Sequence, residues 1–164
     1  MIDLSLASIN SFSQYPVSKT DEGSYVFQTS KGIHYDISFE EDRAIGGCPT
    51  CQLILTKVEH IRSGYDPNVE PSILAIINEF FRSYLNVLLY ICDTSDGRES
   101  NRYRLFLKWF EKHAEPNRFT IRTGKINIEE HELYITVIFE NRNPLQSDII
   151  AQIEKDEELL SQKP

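Results

Sequence analysis

The sequence predicts an α+β domain: a mixed, mostly antiparallel sheet of about six strands with three helices packed on it, in the order β-β-β-α-β-α-β-β-α. Three observations carry this. Segments such as "IHYDISFEE" (residues 33–41) alternate apolar and polar residues with period two, the pattern of a half-buried strand. Ile73, Ile76, Ile77, Phe80 and Phe81 recur at helical spacing and form a single apolar stripe. "NVLLYIC" (residues 86–92) is apolar on both faces, as a central strand covered from both sides must be.

Taken in order, residues 1–22 show no clear period and read as a loosely ordered N-terminal arm with at most a short helical turn. Residues 23–164 read as one domain. "SYVFQTS" puts Tyr25, Phe27 and Thr29 on one strand face, and the next strand alternates Ile33, Tyr35, Ile37 and Phe39 against His34, Asp36, Ser38 and Glu40. Lys31-Gly32 joins them as a tight hairpin, with glycine supplying the positive φ. An acidic patch and "IGGCPTC" form a connection, then "QLILTKVEHI" is a third strand, rich in β-branched and apolar residues. The turn formers of "RSGYDPNVEP" lead into a helix over about 69–84. After the central strand, a second helix over about 97–114 buries Tyr103, Phe106, Leu107 and Phe110. Pro116-Asn117 breaks the chain. "RFTIRTGKINI" and "ELYITVIFEN" then alternate as an antiparallel pair. Asn143-Pro144 starts the third helix, with asparagine as cap and proline in the first helical position. That helix carries Leu145, Ile149, Ile153 and Leu160 on one side and ends in an acidic surface.

The chain has 164 residues, 40% of them hydrophobic, which suits a single globular domain. No apolar run approaches the length a membrane span needs. The first residues lack the basic start and apolar core of a secretory signal, so the expected setting is the cytoplasm. Three cysteines, an odd number, fit a reducing compartment. Net charge is -8, from 17 Lys+Arg against 25 Asp+Glu, which argues against nucleic-acid binding as a default. The charge is uneven: residues 98–125 hold eight basic groups and three acidic ones. One basic face is therefore an expectation.

The hairpin "SYVFQTSKGIHYDISF", the stretch "LLYICDTSDGRE" with its following Arg and "WF", and "NP…II" near the end together resemble an uncharacterised bacterial family, a domain of unknown function. The resemblance runs over residues 25–155. It implies a bacterial cytoplasmic protein of single-domain architecture and marks Asp93–Arg102 as the family's most recognisable motif. It supplies no catalytic residue, and the Cys48/Cys51 stretch is not part of its pattern.

The densest candidate site is that motif. A central strand delivers Asp93 at its carboxyl end and a helix starts a few residues on, an arrangement that often binds ligands near the helix N-terminus. Asp93 and Asp96 can hold a cation. Arg98 and Arg102, one turn apart, can clamp a phosphate or carboxylate in bidentate fashion, with Thr94 and Ser95 adding hydroxyls. Leu105 and Trp109 extend the same face. The structural reading is that Asp96 and Glu99 form a capping box, Ser95 an alternative cap, and Arg102 an ion-pair partner.

Cys48 and Cys51 form a CxxC, but no second pair completes a zinc site and a strand, not a helix, follows it; an incidental loop pair is expected, with no metal and no cofactor. Arg118, Thr120 and Arg122 alternate on one strand face, near a helix bearing Arg104, Lys108 and Lys112. No aromatic platforms interleave with them, so a solvated or acid-facing surface is expected over a nucleic-acid groove. His34 is expected to face solvent, and His131 to sit in a turn. Three readings follow: a non-catalytic binding or interaction module with a protein partner or a second copy; an enzyme or sensor for a phosphorylated or carboxylate small molecule using Asp93, Asp96, Arg98 and Arg102; and nucleic-acid binding through 98–125.

Overall fold

A computed structural model describes residues 2–59, 61, 64–93, 99–129 and 131–161, with the side chains of 93, 99–105, 126–128, 131–132 and 157–161 outside that description. The described residues form an α+β structure of seven strands and four helices, with a mostly antiparallel sheet. The elements are α1 (Leu6–Phe12), β1 (Ser18–Lys19), β2 (Tyr25–Gln28), β3 (His34–Ile45), β4 (Cys48–Lys57), α2 (Val69–Ser83), β5 (Val87–Asp93), α3 (Glu99–His113), β6 (Phe119–Ile128), β7 (His131–Glu140) and α4 (Gln146–Ser161). Strand order is β1-β2-β3-β4-β5-β7-β6. The expected nine-element order from β2 onward is reproduced.

The count differs from the expected six strands and three helices because α1 and β1 both form within residues 1–22. Seven-residue helices are not stable by local propensity, so no periodic signal announces this one. Tertiary bonds hold it instead. Ser5 caps α1 by accepting from the Ser8 N–H at 3.2 Å, and Ile9 is buried. The Asn10 side chain both accepts from the Val17 N–H (2.7 Å) and donates to the Val17 carbonyl (2.9 Å), folding the chain back after the helix.

The chain divides into two compact units. The first, Met1–Glu40 with Leu53–Tyr84, packs α1 and α2 onto the apolar face of β2 and β3. β2 and β3 pair antiparallel, with Tyr25 opposite Ile37 and Phe27 opposite Tyr35, so period two brings their apolar residues to one face. Phe39 stacks on Phe80 of α2 at 4.7 Å, and Tyr25 meets Phe39 edge-on. The buried Tyr25 hydroxyl is satisfied by the Leu4 N–H at 2.7 Å.

The second unit, Glu41–Gln52 with Leu85–Pro164, is built around β5 and β7. β5 pairs antiparallel with β7, Leu88 opposite Ile138 and Tyr90 opposite Thr136. As the apolar pattern predicts, β5 is covered on both faces. Tyr90 packs on Phe106 of α3 at 4.3 Å, whereas Val87 joins Val137, Phe139, Ile149 and Ile153 beneath α4.

The β3–β4 connection is tighter than the sequence suggested. Gly46 and Gly47 form the whole turn, both with positive φ (59° and 78°), so β3 runs on through the acidic patch and β4 begins at Cys48. Two consecutive positive-φ residues are what a two-residue hairpin demands. Gly46 has a second constraint. A Cβ there would lie 2.5 Å from the Asp148 carbonyl carbon and from the Ile149 nitrogen. The Gly46 N–H also donates to Gln152 Oε1 at 2.7 Å.

Candidate functional site

Asp93 is the last residue of β5, in register with Leu133 of β7. Five residues later α3 opens at Glu99, with Arg102 in its first turn. The structure thus reproduces the expected topology of the junction, an interior strand feeding a 15-residue helix. Thr94, Ser95, Asp96, Gly97 and Arg98 lie outside the described residues, as do the side chains of Asp93 and Arg102. The candidate set Asp93, Asp96, Arg98 and Arg102 therefore has a backbone address at its two ends. Trp109, further along α3, is half-buried.

The cysteine pair occupies a strand, not the expected loop. Three residues apart on an extended chain, Cys48 and Cys51 point to opposite faces. Cys48 belongs to the apolar cluster beneath α4; its Sγ donates to the Leu85 carbonyl at 3.4 Å and accepts from Asn143 Nδ2 at 3.5 Å. Cys51 takes a bond from Asn86 Nδ2 at 3.5 Å, and burial pushes its thiol up from the ordinary value. Two thiols on opposite faces cannot ligate one ion. Among the described residues no group of His, Cys, Asp or Glu is placed to hold a metal, and none of the three cysteines is in a disulfide.

Asn143 does more than the expected capping. Its Oδ1 accepts from the Leu145 N–H at 2.9 Å at the entry to α4, while its Nδ2 donates to the Leu85 carbonyl at 2.7 Å. One side chain ties the start of α4 to the residue before β5. The helix itself begins at Gln146, three residues after the cap.

The basic segment is split. Arg118 sits just before β6 and is taken up by Glu140: its Nε and Nη2 donate to Glu140 Oε1 at 3.0 and 2.8 Å. Glu140 has a side chain only 1% exposed, and Arg142 Nε bonds its other oxygen. Arg122 pairs with Val137, whose side chain lies beneath α4, whereas Phe119 meets Phe110 of α3 edge-on at 5.1 Å. Arg122 and the exposed Lys108 and Lys112 of α3 are therefore on opposite sides of the strand pair. The expected single basic face is not formed by these residues. Period two along β6 was legible, but the partner of Arg118 was not: Glu140 reads from sequence as the polar end of an apolar strand.

His34 is exposed, as expected, yet it has a partner. Its N–H and Nδ1 contact the two oxygens of Glu59 at 2.6 and 2.5 Å, and those bonds hold the Glu59 carboxyl below its ordinary value. His131 opens β7 instead of lying in the turn.

The first unit carries a surface that sequence reasoning missed. Phe12 (74% exposed), Tyr65 (75%), Ile61 (63%) and Val58 (52%) are the large apolar side chains most open to solvent among the described residues. A bond links the two segments that bear them: Tyr15 Oη donates to Asp66 Oδ2 at 2.6 Å. Tyr15 is itself fixed by stacking on Phe27 at 5.8 Å and by donating its N–H to Ser72 Oγ at 3.0 Å. Asp66 also accepts from the Asn68 N–H at 2.9 Å, an Asx turn at the entry to α2.

What these features define is an α+β protein with a strand–helix junction and an apolar surface patch, and with no helix among the described residues long and apolar enough to cross a membrane. The chain belongs to a family of unknown function, DUF6169, matched over residues 65–155. The match takes in Tyr65, α2, the β5–α3 junction, β6, β7 and much of α4; the β2–β3 hairpin precedes it. No curated protein and no solved structure matches the chain.

Proposed function

We propose that this protein is a non-catalytic interaction module that captures a protein partner through the Phe12, Val58, Ile61 and Tyr65 surface. The observation that carries this reading is the exposure of these four side chains, each more than half open. Isolated exposed apolar residues are ordinary, but several in bonded segments mark interaction surfaces, and aromatic residues dominate such contacts. The Tyr15–Asp66 bond supports the reading because it fixes the two segments before any partner arrives, which lowers the ordering cost of binding. The test is light scattering and affinity capture with the intact chain against Phe12→Ser/Tyr65→Ser. A defined complex or oligomer lost in the double variant, with unchanged melting, supports the reading; a chain that stays monomeric and captures nothing that the variant does not also capture refutes it.

A second reading places a small anionic ligand, phosphorylated or carboxylate-bearing, at Asp93, Asp96, Arg98 and Arg102. The placement of Asp93 at the end of an interior strand, shortly before a long helix, favours it. Calorimetry with inorganic phosphate tests it: heat lost in Arg102→Ala supports the site, and equal heat in both proteins removes it. The buried thiols without disulfides support a reducing, cytoplasmic setting, and the resemblance of the motif supports a bacterial one.

A further inference from the structure

β6 is the outermost strand of the sheet, and at ten residues it is five times the length of β1 at the other end. Which of its backbone groups face outward follows from the pairing. The Asn141 N–H donates to the Arg118 carbonyl at 2.8 Å, so 118 and 141 form a hydrogen-bonded pair. Such pairs alternate along an antiparallel ladder. At the other end Ile128 pairs with His131 across a two-residue turn, with Glu129 at φ 47°, and a two-residue hairpin closes on a hydrogen-bonded pair. Both ends give the same parity. Residues 120, 122, 124, 126 and 128 bond to β7, and the odd-numbered residues, Ile121 and Thr123 at the centre, direct N–H and C=O away from the sheet.

The chemistry of the edge is one-sided. Phe119–Ile128 contains Arg122 and Lys125 and no acidic residue. Both cations are exposed, as are Thr123 and Gly124, and the space a Cβ would take at Gly124 is open. A second copy adding its own β6 would place four cations and no anion in one two-stranded ribbon, and like charges across a ladder are destabilising. An acidic strand answers both the backbone and the charge.

We infer that β6 is a β-augmentation edge that binds an extended acidic segment of a partner protein, with the backbone of Ile121 and Thr123 pairing to it and Arg122 and Lys125 meeting its carboxylates. Arg122 and Lys125 are three residues apart and so lie on opposite faces, which asks for two acids at the same spacing in the partner. This edge belongs to the second unit and uses none of the apolar residues of the proposed interaction surface, so the two stand or fall separately.

The experiment uses the full chain and a synthetic peptide, Val-Val-Glu-Thr-Val-Glu-Val-Val, with a lysine-for-glutamate counterpart. Amide hydrogen exchange is followed residue by residue. The expected result is that Ile121 and Thr123 amides exchange quickly alone and slow on the order of tenfold or more with the acidic peptide only, while the amides of Arg122 and Gly124, already in the ladder, change little. Thr123→Pro removes an outward N–H without touching the β7 ladder, because proline is tolerated where that group faces solvent, and should abolish the effect. Should that variant fail to fold, Arg122→Glu/Lys125→Glu replaces it and should reverse the preference toward the lysine peptide. The inference is overturned if the acidic peptide leaves Ile121 and Thr123 unchanged, if folded Thr123→Pro responds like the parent, or if those two amides are already slow in a concentration-dependent way, which would assign the edge to a second copy.

Discussion

Replacing Gly46 by alanine should destabilise the second unit far more than the same change at the adjacent Gly47. Both glycines have positive φ, so both alanines carry the left-handed backbone penalty of about 1–2 kcal/mol. At Gly47 nothing lies within 4 Å of the new Cβ, and the penalty ends there. At Gly46 the Cβ meets three backbone atoms of Asp148 and Ile149 at 2.5–2.6 Å, well inside contact distance. Helical backbone has no rotamer to yield, so α4 must move away or the turn must reopen. Overpacking of that kind costs a further 1–3 kcal/mol, typically, and the Gly46–Gln152 bond is strained with it. Gly46→Ala is therefore expected to lose roughly 2–5 kcal/mol against about 1–2 for Gly47→Ala. Urea unfolding of the three proteins, followed by circular dichroism and analysed with a shared slope, reads the difference. Equal losses in the two variants would refute the reasoning, because they would mean that the approach to α4 carries no energy and only the turn conformation matters.

Glu140→Ala should rank as a severe substitution, about 2–4 kcal/mol, since it leaves the half-buried Arg118 without its principal acceptor; Arg142→Ala, at a 62% exposed partner, should cost under about 1 kcal/mol, and thermal melts give the ranking. Tyr15→Phe keeps the Phe27 stack but loses the bond to Asp66, so it should cost about 1–2 kcal/mol and speed proteolysis of the segment before α2 at little change in far-UV signal. The bonds from His34 hold Glu59 below its ordinary value, so the clip contributes above the unfolded value and is lost as pH falls through the lower folded one; Glu59→Gln should flatten the acid limb of the stability curve and leave the neutral region nearly unchanged. Cys48, Cys51 and Cys92 are all buried, and burial also pushes the Cys51 thiol up, so labelling by a thiol reagent should follow global unfolding; rapid labelling in native buffer would contradict the placement of β4.

Where the sequence alone was sufficient, a periodic signal extended over enough residues to overrule local ambiguity. α2 carries its stripe for four turns, and Val69–Ser83 falls within one residue of the expected span. β5, β6 and β7 likewise fall within a residue of expectation. The misses share a different cause. α1 has one buried residue and is held by Asn10 and Ser5, so its stability is tertiary and leaves no period to read. The β3–β4 turn was assigned as a longer loop because Glu40, Glu41 and Asp42 look like a connection; two glycines in the left-handed region let those exposed residues stay in the strand. Arg118 was read as a surface charge because the partner that defines it, Glu140, is 22 residues away. The junction from Asp93 to Arg102 was located correctly as a strand end followed by a helix, but the side chains that would decide its chemistry lie outside the described residues.

The family match constrains which of the surfaces can serve a shared role. It spans 65–155, so it contains the whole β5–α3 junction and the whole of β6, but of the four exposed apolar residues it contains Tyr65 alone. A function encoded in the matched residues must therefore be executed by the junction, by the β6 edge, or by Tyr65 acting without Phe12, Val58 and Ile61. Those alternatives make different demands on one variant. If Phe12→Ser by itself abolishes partner capture, recognition depends on a helix that precedes the match, and the interaction is a property of this chain's N-terminal part. If Tyr65→Ser abolishes it and Phe12→Ser leaves it intact, the surface is built from matched residues, with Tyr65 as its anchor. The side chain of Tyr65 sits next to Asp66, which Tyr15 holds in place, so the second outcome also predicts that Tyr15→Phe weakens capture while leaving the Phe27 stack in place.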